Sequence, residues 1–155
     1  PDGSHDTVSW LGNEFMASPE WKEYSPGTKA GKIGRFKDMV ETRLLGETLK
    51  FGELDYTLTR RKHIYSLRAI KFEDGSPDQA NSWVKDLSAM FRWAKRTEIA
   101  PPHFNNPCVD IPKLKGGPGH HTWTEEEQNN FEEYWAVGTM QRLAYALMKF
   151  SGARV

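Results

Sequence analysis

The stretch Ser76–Arg96, SPDQANSWVKDLSAMFRWAKR, decides the fold class. Ser76 followed by Pro77 is a helix start with a mechanism. The serine hydroxyl accepts an orphan amide of the first turn, and proline, which has no amide, occupies a position where none is needed. Beyond it Ala80, Trp83, Val84, Leu87, Met90, Phe91 and Ala94 recur at three and four residues, so one stripe of a helix is apolar and faces a core. Lys85, Ser88, Arg92, Lys95 and Arg96 fall on the opposite side.

Working outward, the same punctuation recurs. Asp6 or Thr7 caps a first helix from Thr7 to Ala17, with Val8, Leu11 and Phe15 on one face and a stop at Ser18 before Pro19. Ser25 and Pro26 open a second helix reaching Leu45, with Ile33, Phe36, Met39, Val40 and Leu44 inward. Its Gly31 and Gly34 lower helix propensity and are expected to admit a close neighbour. Gly46 to Tyr56 reads as a connection. Thr57 or Thr59 then caps a third helix that carries Ile64, Leu67 and Ile70 inward and Arg60, Arg61 and Lys62 in its first turn. Those cations oppose the helix dipole unless an external anion neutralises them.

From Pro101 to His121 the sequence fills with Pro, Gly and Asn and reads as a linker, with a domain boundary near residue 113. Thr124 and Glu127 have capping-box spacing for a fifth helix. A sixth, capped by Thr139 and running to Phe150, is apolar on nearly every side and needs burial all round. About thirty residues after a linker cannot supply that burial, so the expectation is a piece of something larger. No alternating strand is evident, and the fold class expected is all-α.

The 21 basic and 21 acidic residues cancel, but unevenly. Between Pro26 and Phe72 eleven bases face five acids, while Glu125, Glu126, Glu127, Glu132 and Glu133 cluster later. Lysines and arginines spread over three helices can track a phosphate backbone. Pattern alone leaves open a helical DNA-binding module and a protein-interaction bundle. A regulator ranks below both, since no compact helix-turn-helix is visible. The single cysteine, Cys108, excludes an internal disulfide and a multi-thiolate zinc site, and points to a reducing cytoplasm. No membrane span is expected. KLKGGPG lacks phosphate-loop spacing, His120 and His121 lack converging metal partners, and His63 and His103 have no triad companions. Tyr145, amid an apolar helix, reads as core. The opening residues 1–5 read as an expression scar.

Three stretches together resemble the tyrosine recombinase (phage integrase) family. MFRWAKR (Met90–Arg96) with Ile99 and NNP (Asn105–Pro107) is similar to the last helix and exit loop of its core-binding domain. KLKGGPGHHTWTEEE (Lys113–Glu127) is similar to its interdomain linker and first catalytic-domain helix, and LAYALMKFSGAR (Leu143–Arg154) to the helix before its first catalytic arginine. Ser151 stands where that family usually has threonine, and the loop after Ala94 is long, with Pro101 and Pro102.

The resemblance implies a four-helix SAM-like core-binding bundle over residues 6–112, a linker over 113–123, and the first two helices of a truncated catalytic domain over 124–155. It implies double-stranded DNA as partner, with Lys29, Lys32, Arg35, Arg60, Arg61, Lys62, Lys85, Arg92, Lys95, Arg96, Lys113 and Lys115 as backbone contacts. Arg154 would bind the scissile phosphate. The tyrosine nucleophile and remaining catalytic residues would lie beyond Val155, leaving this piece without catalysis. The intact parent would break and rejoin DNA through a 3′-phosphotyrosyl bond, in a tetramer of protomers on DNA in the bacterial cytoplasm, with no metal, cofactor or small-molecule ligand.

Overall fold

The computed structural model describes residues 5–116 and 121–151. Among the described residues it is all-α, with seven α-helices and no strand. In chain order these are α1 (Val8–Ala17), α2 (Pro19–Lys22), α3 (Pro26–Glu41), α4 (Arg61–Asp74), α5 (Pro77–Arg96), α6 (Glu125–Tyr134) and α7 (Met140–Ser151). Two short 3₁₀ turns, Phe51–Glu53 and Tyr56–Leu58, lie between α3 and α4. The chain divides into two compact units, one ending at Gly117 and the other beginning at Pro118. No helix among the described residues is long and apolar enough to cross a membrane.

Of the caps expected in the first unit, those of Thr7, Ser25 and Ser76 are made, and Ser18 adds another. The hydroxyls of Thr7, Ser18, Ser25 and Ser76 accept from the amides of Trp10, Trp21, Thr28 and Gln79, three residues on in each case. Each such cap stabilises its helix by about 1 kcal/mol. The α5 stripe faces the core as read: Ala80, Trp83, Leu87, Met90, Phe91 and Ala94 are buried, Trp93 is added, and Val84 is half-buried against them. They pack against Val8, Leu11 and Phe15 of α1, Met39 of α3, and Ile64 and Leu67 of α4. Each large apolar side chain so buried contributes roughly 1.5–3 kcal/mol. The short α2 had no periodic signal. It exists because Ser18 caps it and Trp21 turns into the core, its ring 5.5 Å from that of Phe15.

Three expectations for the second helix are corrected. The helix α3 stops at Glu41 rather than Leu45, because Thr42 leaves it to accept the Phe51 amide at 2.8 Å and Arg43 bridges to Lys50. Leu44 still reaches the core, from this connection rather than from the helix. Ile33 is 47% exposed, so the inward face is narrower than the periodicity suggested. Gly34 has nothing near it, and Gly31 faces only the end of Arg35. The glycine that a neighbour does require is Gly12 of α1, against which the Phe36 ring packs so closely that any β-carbon would overlap it. The third helix begins at Arg61, with Arg60 as its cap residue rather than Thr57 or Thr59. Those two threonines lie in and just after the Tyr56–Leu58 turn, where the Asp55 carboxylate accepts the Thr57 amide.

The proline-rich stretch after α5 is packed, not slack, as far as Leu114. Ala100, Phe104 and Cys108 join the core. Asn106 donates to the backbone carbonyl and hydroxyl of Ser88, both at 3.2 Å. The Asn81 amide group exchanges two hydrogen bonds with the backbone of Leu114, each 2.9 Å, and Arg68 donates to the Pro112 carbonyl at 2.6 Å. Composition suggested a linker because such a segment has no periodicity. Side chains reaching its backbone hold it instead.

In the second unit, Thr124 and Glu127 form the expected capping box at the start of α6. Tyr145 of α7 is buried as read, its ring 5.0 Å from Phe131 and 6.1 Å from Trp123. Glu132 of α6 holds Arg142 at 2.6 Å and Lys149 at 3.1 Å, and its carboxyl lies below the usual range, chiefly through the hydrogen bond from Lys149. Burial all round is not met on α7: Met140, Leu143, Leu147, Met148 and Phe150 are exposed.

Candidate nucleic-acid interface

The solvent side of α5 presents Lys85, Ser88, Arg92 and Lys95 at steps of three and four, which align them along one face. The packed segment after α5 runs beside this face, and the α4 N-terminus meets its far end. Three adjoining depressions result. The first lies between Lys85, Ser88, Arg92 and Lys113, the second among Arg92, Lys95, Arg96, Asn105 and Arg61, and the third among Arg61, Arg60, His103 and Asn105. Arg92 is common to the first two, and Arg61, Asn105 and Asn106 to the last two, so together they form one shallow trough. No aspartate or glutamate lines it.

Seven of the twelve cations read as DNA contacts are thereby brought together: Arg60, Arg61, Lys85, Arg92, Lys95, Arg96 and Lys113. Among the described residues only Arg96 of these seven makes an ion pair, with Glu20 at 2.9 Å. The other five stand elsewhere. Lys32 and Arg35 both grip Asp86 of α5, at 2.5 and 2.7 Å, with Lys32 and Asp86 only 12% and 11% exposed. Lys29 donates to the Lys22 carbonyl. Lys62 lies 3.7 Å from Glu47, and Lys115 is exposed beyond the trough. Arg154 and His120 fall outside the described residues.

The trough's far end is shaped by a backbone device. The Arg60 amide donates to His63 Nδ1 at 3.1 Å, which fixes the entry into α4 and hence where Arg60 and Arg61 point. Burial first, and then the charge of Lys62, lower the pKa of His63, so the ring stays a neutral acceptor. Two cations at a helix N-terminus oppose its dipole, and a bound anion would relieve both that repulsion and their mutual one.

Cys108 lies beneath the first depression, and burial pushes its thiol up to about 12. It is a buried packing residue. No cluster of histidine, cysteine and acidic residues suited to a metal occurs among the described residues. Sequence reasoning missed Asn105 and Val109 on the trough floor. The Asn-Asn-Pro run was visible, but nothing in it distinguishes an amide on display from one tied into a loop. It missed Asp86 too, since its partners lie 54 and 51 residues away. No family model, no curated protein and no solved structure matches the chain.

Proposed function

We propose that this chain is the DNA-gripping part of a tyrosine recombinase: a core-binding domain, with the first helices of a catalytic domain following it. The observation that carries the reading is the trough along α5, where seven cations line one continuous surface, no carboxylate is among the lining residues, and Arg96 alone of the seven is paired among the described residues. A surface of that kind binds by displacing counterions from phosphates, which gives affinity without sequence preference and steep salt dependence. Within this reading α6 and α7 open the catalytic domain. Arg154 is its first phosphate-binding arginine, and the parent acts as a tetramer through a 3′-phosphotyrosyl intermediate.

The test is a salt titration of affinity for mixed-sequence duplex DNA. With about six phosphate contacts the log–log slope is about −5. Replacing Lys85, Arg92, Lys95 and Arg96 together by glutamate should abolish retention at moderate salt, whereas Lys32→Gln should leave the slope unchanged. A second reading, a protein-interaction domain, is favoured by the exposed apolar residues of α7. No duplex binding at low salt, or a slope indifferent to the fourfold reversal, would give that reading precedence.

A further inference from the structure

Phosphate attraction accounts for the trough's cations but not for two uncharged side chains on its floor. Asn105 is exposed between Arg61, Arg92 and Lys95, and Val109, 48% exposed, lines the same depression. Neither adds to the positive field. The Val109 isopropyl group lies outside the core cluster and offers the depression an apolar surface.

The backbone on both sides of Asn105 is fixed. Phe104 is buried and its amide donates to Pro101 at 2.8 Å. Asn106 is spent on Ser88 through two bonds, and its carbonyl oxygen accepts the Cys108 amide at 2.9 Å. Pro107 and Cys108 are buried behind it. Asn105 itself makes no hydrogen bond within the described residues. It is an unspent amide on a rigid mount, which is what recognition of a base edge needs. A side chain tied into its own loop has no donors left, and one on a mobile loop loses affinity in being ordered.

We infer that Asn105 and Val109 read an A·T step in the major groove of the duplex held by the trough. The Asn105 side chain donates to N7-side acceptor and accepts from the N6 amino group of adenine, and Val109 packs on a thymine methyl. Asparagine is the side chain whose paired donor and acceptor match adenine, and apolar contact is how the thymine methyl is distinguished. The inference rests on the duplex-binding reading above and adds a sequence preference to it.

The experiment is selection of bound sequences from a pool of short duplexes randomised in sequence, using the whole 155-residue chain, followed by salt titration of the variants. The unaltered chain should enrich adenine at one position by about 5- to 150-fold over the other bases. Asn105→Ala should erase that preference while keeping the salt slope, and Asn105→Arg should move it to guanine, whose N7 and O6 fit a guanidinium. Val109→Ser should weaken only the accompanying thymine preference. Asn105 is exposed and unbonded, so these variants keep the fold, which an unchanged melting temperature verifies. Adenine enrichment that survives Asn105→Ala overturns the inference. So does steep salt-dependent binding with no enrichment at all, which would leave the duplex-binding reading standing. Absence of any binding at low salt removes both.

Discussion

Asp86→Asn tests the link between α3 and α5 directly. The carboxylate accepts from Lys32 Nζ and Arg35 Nε on separate oxygens, and an amide can satisfy only one of them. Removing one partner of a fully buried ion pair costs about 3–5 kcal/mol, because the remaining charge stays in a poor solvent, while an exposed pair is worth about 0.2–1 kcal/mol. Lys32 is 12% exposed and inherits most of the first penalty, whereas Arg35, at 34%, can turn to water. The expected loss is therefore about 2–3 kcal/mol, intermediate between those limits. At about 4 °C per kcal/mol for a unit of this size, the melting temperature falls by roughly 8–12 °C. Urea unfolding at constant ionic strength measures it. Replacing the pair together, Lys32→Met with Asp86→Leu, should recover most of the loss, since no buried charge is then left alone. A loss under about 0.5 kcal/mol, or a double variant as unstable as the single one, would refute the claim that this pair behaves as buried.

Two further predictions concern packing and pH. Gly12→Ala should destabilise by about 1–3 kcal/mol because its β-carbon overlaps the Phe36 ring, which must leave its contact with α1, while Gly34→Ala, in open space, should stabilise by up to about 1 kcal/mol; thermal melts of the two variants should shift in opposite directions. Cys108 is held neutral in the fold, with its thiol raised from 9.0 to about 12, so its contribution to stability is complete below pH 9 and is lost as the pH rises toward 12. Replacing it by alanine should flatten that alkaline decline. Alkylation of the folded protein at pH 8 should be far slower than of a free thiol, and labelling at the free rate would contradict the burial.

Legibility in the sequence followed the range of the forces involved. The helix α5 was readable end to end because Ser76 and Pro77 act within one turn, and its apolar stripe repeats six times before Arg96. The end of α3 was not, because Thr42 leaves the helix to meet Phe51, and a partner across a connection leaves no mark on local periodicity. The candidate site divided in the same way. Lys85, Arg92, Lys95 and Arg96 were placed on one side of α5 by spacing alone, and the structure adds Arg60, Arg61 and Lys113 to the same trough. Lys32 and Arg35 resembled them in every local respect. Only the fold could show that Asp86 had already taken their charge.

The clasp on residues 112–114 distributes mutational tolerance unequally. Asn81 and Arg68 hold that segment by its main chain, through the Pro112 carbonyl and both polar groups of Leu114. The holding side chains are thus chemically specified, and the held ones are not. The grip on position 114 asks only for an amide hydrogen and a carbonyl, so proline is the one residue that breaks it outright. Drift within the segment can therefore proceed without releasing it, so long as asparagine and arginine persist on the two helices that grip it.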